Sequence, residues 1–167
     1  MLKKTAKRLI YAYQFALDYP LYWRMRIALQ YAPQSKWGGS KRLLLMLLCR
    51  SMEAKKCSST GIGLQGDCCL MEEPLVLPHG LCGIVIARNA KIGRNVEIYQ
   101  YVTIAESDKQ KMTVIEDNVM IGAGAMILNN AHIGKGAKIG ANAVVVGYVT
   151  RRCYCCRSSC KNYSIDK

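Results

Sequence analysis

With 167 residues, 51% of them apolar, the chain is long enough for about one domain with a sizeable core. Its formal charge of +13 sits at the two ends: residues 1–60 carry 12 Lys/Arg against 2 Asp/Glu, residues 61–150 carry 7 against 8, and residues 151–167 carry 5 against 1. A near-neutral middle argues against a nucleic-acid platform, which needs basic residues and exposed aromatics on the folded surface.

The first 60 residues read as a basic helical segment. Ala6, Leu9, Ile10, Tyr13, Ala16 and Leu17 recur at helical spacing between Lys3 and Leu17, and Pro20 ends that stretch or starts the next. A second helix is expected from about Leu21 to Tyr31, followed by a linker marked by Pro33 and Gly38-Gly39. A third is expected from Ser40, a candidate N-cap, to about Lys56. The longest apolar run, from Leu43 to Cys49, is far short of the roughly 20 residues that a spanning helix needs, so a buried or interfacial helix is expected there. No small-residue cleavage site follows the basic start. The expected location is cytoplasmic, and the basic arm allows peripheral contact with an anionic membrane surface on its inner face. Cys49, Cys57, Cys68, Cys69 and Cys82 are scattered through regular segments and are expected to be small buried residues.

From about Gly61 to Thr150 a different rhythm takes over. An aliphatic residue recurs every six positions at Ile86, Ile92, Ile98 and Ile104, then at Ile115, Ile121, Ile127, Ile133, Ile139 and Val145. Four places after each member stands a small or β-branched residue, such as Ala90, Val96, Val102, Val119, Ala125, Ala131, Ala137, Ala143 or Val149. Neither a helix nor an ordinary strand has that period. Two inward positions in six, with Gly, Asn and charged residues between them, describe short strands joined by turns, the signature of a parallel β-helix. Eleven residues separate Ile104 from Ile115 where six would keep time, so five are inserted within the polar stretch Ala105–Met112. Regular solenoids commonly use such an extruded loop for binding.

The stretches LVLPHGLCGIVIARNAKIGRNVEIYQYVTI and TVIEDNVMIGAGAMILNNAHIGKGAKIGANAVVVGYV, between Leu75 and Val149, resemble the hexapeptide-repeat acyltransferases. The likeness is to the serine acetyltransferase branch and to related enzymes that acetylate polysaccharides. It implies a left-handed parallel β-helix, a homotrimer, and acetyl-CoA as co-substrate bound along the coil between subunits. The hand comes from the resemblance, since crossovers are generally right-handed. The implied acceptor is a small-molecule hydroxyl or a sugar.

The same resemblance assigns candidate residues. A histidine shortly before GIVI is the family's general base, which makes His79, in His79-Gly80-Leu81-Cys82 ahead of Gly83-Ile84-Val85-Ile86, the candidate that deprotonates the acceptor hydroxyl. Imidazole titrates close to working pH, as that task requires. The family's orienting aspartate lies about fifteen residues earlier; that count reaches Leu64, and Asp67 is the substitute nearest to it. The family's second active-site histidine lines up near Met112, which has no acid–base capacity. Gly122, Ala123, Gly124 and Ala125, with Gly140, Ala141, Asn142 and Ala143, resemble the cofactor-facing turns, where small side chains let a pantetheine arm approach the backbone. His132, the other histidine, holds an outward place in its repeat and is expected to be solvated. Two histidines without carboxylate or thiolate ligands at useful spacing predict no metal site.

After Thr150 the beat is expected to stop. Residues 151–167 include Cys153, Cys155, Cys156 and Cys160 at spacings poor for zinc. One permitted back-translation of this segment, with a single base dropped, encodes Glu-Asp-Val-Ile-Val-Ala-Gly-His-Pro-Ala-Lys-Ile-Ile-Gln and then a stop. That peptide resembles the family's usual ending, so residues 151–167 read as an aberrant, frameshifted tail. The leading expectation is an acetyl-CoA-dependent O-acetyltransferase of the serine acetyltransferase-like group. A sugar or capsular polysaccharide O-acetyltransferase is the alternative, and a non-catalytic β-helix for binding or assembly is the alternative of another class.

Overall fold

Strands stacked one coil apart turn the six-residue beat into a repeating frame. The computed structural model describes residues 20–30, 39–62, 69–105, 112–151 and 154–155. The helix expected at Lys3–Leu17, the candidate Asp67, the inserted loop and most of the tail lie outside the described residues. The chain divides into two compact units between Cys49 and Arg50.

In the first unit, residues 20–30 are helical and are called α1. Tyr22, Trp23, Arg26 and Leu29 are buried, and the Tyr22 and Trp23 rings meet edge-on with centroids 5.1 Å apart. Helix α2, Gly39–Ala54, runs across the division. Helix α2 ends within two residues of the expected place, the usual scatter of helix termini. Among the described residues no helix is long and apolar enough to cross a membrane.

Helix α2 closes with a left-handed residue. The Cys57 amide donates to the Ala54 carbonyl and the Ser58 amide to the Glu53 carbonyl, with Cys57 at φ 51°. This is the Schellman pattern, more often built on glycine. Cys57 is exposed and Cys82 half-buried, against the expectation of burial, whereas Cys49 and Cys69 are buried. The buried Glu53 carboxylate accepts hydrogen bonds from the Thr60 amide (3.1 Å) and hydroxyl. Arg50 donates to the Ile62 carbonyl at 2.7 Å. A buried carboxylate satisfied in this way fixes where the chain leaves the helix.

The coil follows as parallel strands. They are β1 Ser59–Thr60, β2 Leu70–Met71, β3 Val85–Ile86, β4 Ala90–Ile92, β5 Glu97–Ile98, β6 Thr103–Ile104, β7 Thr113–Ile115, β8 Met120–Ile121, β9 Met126–Ile133, β10 Lys138–Ile139, β11 Val144–Val149 and β12 Tyr154–Cys155. The coil therefore starts at Ser59, two residues ahead of the expected Gly61. Three strand columns form its walls. One holds β1, β3, β6 and the first parts of β9 and β11, the second β2, β4, β7 and the last parts of β9 and β11, and the third β5, β8, β10 and β12.

Every member of the beat from Ile86 to Val145 is at most 2% exposed, and the small or β-branched residues between them are at most 3% exposed. Each isoleucine so buried is worth about 1.5–3 kcal/mol relative to water. Ile104 lies opposite Ile127, and Ile92 opposite Ile115, so the stack keeps its register on both sides of the insertion.

Thr113 is the exception inside this core. It pairs with Ala90 in a position otherwise given to small apolar residues, is 0% exposed, and its Oγ1 has no hydrogen-bond partner among the described residues. An unsatisfied buried hydroxyl costs about 1–3 kcal/mol. Thr113→Val, which keeps the shape and removes the hydroxyl, is expected to raise the denaturation midpoint. An unchanged or lower midpoint would mean that the hydroxyl is satisfied.

The beat does not stop at Thr150, as the sequence suggested; it moves. Val145 lies opposite Ile127, but Val149 lies opposite Ile133 after a register shift between Val146 and Tyr148, and Gly147 has φ 108° there. The coil thus loses two residues at that corner, and Val149 takes the isoleucine slot early. Six residues later Cys155 lies opposite Ile139. The start of the tail supplies a strand to the coil.

Candidate functional site

His79 is carried by the turn over residues 78–83 and is exposed. That turn is held by bonds from the Gly80 amide to the Leu77 carbonyl (3.1 Å) and from the Gly83 amide to the Lys56 carbonyl (2.9 Å). The left-handed φ of Gly80, 74°, and of Gly83, 63°, permits it. A Cβ on Gly83 would lie 2.3 Å from the Tyr101 ring, so any other residue would have to push that exposed ring aside.

The imidazole meets the ring of Tyr99 edge-on, with centroids 5.5 Å apart and planes at 72°. Tyr99 is itself held: its amide donates to the Ile121 carbonyl at 3.0 Å, and its phenol hydrogen-bonds to Glu97. That bond, with the carboxylate's charge and some burial, raises the phenol above the usual tyrosine range and keeps it protonated. Tyr99 was not foreseen. Nothing local marks it, and only the coil's 18-residue step would have placed it beside the His79 turn.

The small-residue turns lie on the same corner of the coil. Cys57, Gly83, Tyr101, Gly124 and Asn142 are one column of left-handed residues on successive coils. The Gly124 amide bonds to the Gln100 carbonyl (3.0 Å) and the Asn142 amide to the Ala123 carbonyl (2.8 Å), so His79, Gly122–Ala125 and Gly140–Asn142 are brought to one edge. Ala125 and Ala143 point into the core; Gly122, Ala123, Gly124 and Gly140 are half-buried, and Ala141 and Asn142 are exposed. Coil stacking alone demands glycine at 122, which faces backbone, while at 124 the obstacle is a side-chain atom. A Cβ on Gly122 would lie 2.7 Å from the Ala141 amide nitrogen, and one on Gly124 2.3 Å from Asn142 Oδ1. The result is a backbone ledge with little side-chain cover.

A second corner is charged. Arg94 Nε pairs with Glu72 (3.0 Å), Lys135 Nζ with Asp117 (3.2 Å), and His132 Nε2 lies 2.9 Å from Glu116 Oε1. His132 also packs on Tyr148, with ring centroids 5.1 Å apart, so it is engaged rather than freely solvated as expected. It belongs to this corner and not to that of His79. Hydrogen bonds from His132, with the proton on Nε2, and from the Lys135 amide hold Glu116 below the usual carboxylate range. A carboxylate so depressed stabilises the fold above its unfolded pKa, and the stabilisation is lost as pH falls through the folded value. Glu116→Gln is therefore expected to lower the melting temperature at neutral pH, with parent and variant converging in acid. A difference constant down to the acid limit would exclude the charge as its cause. Among the described residues no group of three His, Cys, Asp or Glu is placed to hold a metal ion.

This fold and corner geometry define a hexapeptide-repeat solenoid. Residues 112–147 match the family model described as Bacterial transferase hexapeptide (six repeats). More particularly, the chain is similar to serine acetyltransferases. It is 44% identical over 78 residues to that of Staphylococcus xylosus, covering 45% of this chain and 36% of the relative. It is 41% identical over 73 residues to that of Bacillus licheniformis, covering 42% and 33%. The chain thus spans about a third of the length of these curated relatives. Among solved structures, Neisseria gonorrhoeae serine acetyltransferase superposes with TM-score 0.57 at 33% identity over 68% of this chain and 44% of that one. A serine acetyltransferase in complex with CoA superposes with TM-score 0.61 at 26% identity over 80% and 51%. The coil is a left-handed parallel β-helix like those of these neighbours.

Proposed function

We propose that the chain is an acetyl-CoA-dependent O-acetyltransferase of the serine acetyltransferase-like group, with His79 as general base. The observation that carries this reading is the placing of an exposed imidazole, braced by Tyr99, at the same coil edge as the open ledge of Gly122–Ala125 and Gly140–Asn142. His79 takes the proton of the acceptor hydroxyl as its oxygen forms a bond to the thioester carbonyl carbon. The C–S bond then breaks, the acetyl group stays on the acceptor oxygen, and the imidazolium returns its proton to the departing CoA thiolate. Tyr99, anchored by Glu97, is the positioning residue, a role for which Asp67 was the sequence candidate.

The ledge suits acetyl-CoA because its small side chains admit a narrow pantetheine arm to the backbone. The active unit is a homotrimer, as in the original resemblance, with each ledge completed by a neighbouring subunit. The acceptor is a small hydroxyl compound, serine first. Met112 favours a sugar as the second reading: it is 44% exposed where the resemblance would place another histidine, so the acceptor is gripped differently there. The proposed location is the reducing cytoplasm, where thiols such as those of Cys57 and Cys82 persist.

The test is loss of thioester absorbance from acetyl-CoA with serine, hexoses and lipid-linked sugars as acceptors. Acceptor-dependent turnover with serine is expected, and turnover with sugars alone would select the second reading. Acetyl-CoA binding without turnover on any acceptor would leave a binding module.

A further inference from the structure

Helix α2 presents two unlike faces. Met46, Cys49 and Glu53 are 6%, 0% and 3% exposed, whereas Leu43, Leu44, Leu47 and Leu48 are 50%, 58%, 55% and 45% exposed. These leucines stand at i, i+1, i+4 and i+5, so they form one continuous stripe. Single exposed leucines are ordinary, but four adjoining ones are an interaction surface.

We propose that this leucine face of α2 docks on an anionic lipid surface, the helix lying in the plane of the interface. Charge selects this occupant. Beside the stripe and at the helix's end stand the exposed Arg50, Lys55 and Lys56, while the helix's one acid, Glu53, lies on the opposite face, buried and bonded to Thr60. Over residues 1–60, 12 basic residues face 2 acidic ones. A second copy laid face to face would set like charge against like, whereas acidic headgroups complement the rim. The geometry also fits: apolar side chains along one side and cations beside them make a helix that enters the headgroup boundary without spanning it. The inference is independent of the enzymatic reading.

The experiment is co-sedimentation of the full chain with vesicles of phosphatidylcholine alone or mixed with phosphatidylglycerol, beside sedimentation velocity without lipid. Binding is expected on the mixed vesicles only, falling about tenfold or more when salt screens the headgroups. Leu44→Glu/Leu47→Glu is expected to cut that binding at least as far while leaving the melting temperature unchanged. If the glutamates lower the melting temperature, Leu44→Gln/Leu47→Gln makes the same comparison. Absence of parent binding, equal binding to neutral vesicles, or equal binding by parent and a folded variant would overturn the proposal. So would a variant that lowers the assembly order in lipid-free solution, since the face would then belong to a second copy.

Discussion

Replacing His79 with alanine is expected to lower the acetyl-transfer rate by roughly 100-fold or more, the scale of general-base assistance. Acetyl-CoA binding should change little, because the ledge is built from the backbone of Gly122–Ala125 and Gly140–Asn142 and its small side chains. Tyr99→Ala should also slow transfer, because the imidazole loses the ring it packs against while keeping its chemistry. Tyr99→Phe keeps the ring and loses the Glu97 anchor, so it should recover most of the rate. Steady-state rates across pH for the four proteins decide the matter. Equal rates for parent and His79→Ala would remove His79 from the chemistry.

The second large effect is on stability. Ile121 is 0% exposed and stacks against Ile98 and Ile139 on adjoining coils, so Ile121→Ala should cost about 2–5 kcal/mol by leaving a cavity that the rigid coil cannot collapse. Lys138, on the neighbouring strand β10, is exposed and points outward; Lys138→Ala should stay within about 0.5 kcal/mol. Denaturant unfolding of both variants tests the contrast. Similar costs would mean that the inward beat is not what holds the coil.

The beat was legible because a solenoid repeats one local problem. Each isoleucine from Ile86 to Ile139 meets another aliphatic member of the beat on an adjoining coil, so the pattern needed no long-range information. The contact between His79 and Tyr99 was hidden for the opposite reason. It joins residues 20 apart in a turn and a corner, where the six-residue rule constrains no side-chain direction. The partner of His132 was hidden likewise, since Glu116 lies one coil below and outward positions follow no apolar code. At the end of the coil the rule failed outright: the corner at Gly147 shortens the path, and the next inward place falls at Val149, four residues after Val145 instead of six.

The insertion between Ile104 and Ile115 has a consequence for how such a chain diversifies. Ile104 faces Ile127 and Ile115 faces Ile92, so chain length between them is decoupled from the frame. Doubling a flexible loop costs only about 0.6 kcal/mol of closure entropy. A lineage can therefore rewrite this segment by insertion, deletion or transplantation without renegotiating any buried neighbour. The scaffold behaves as a chassis with an exchangeable fitting, and new acceptor chemistry can be tried there while the stacked isoleucines stay as they are.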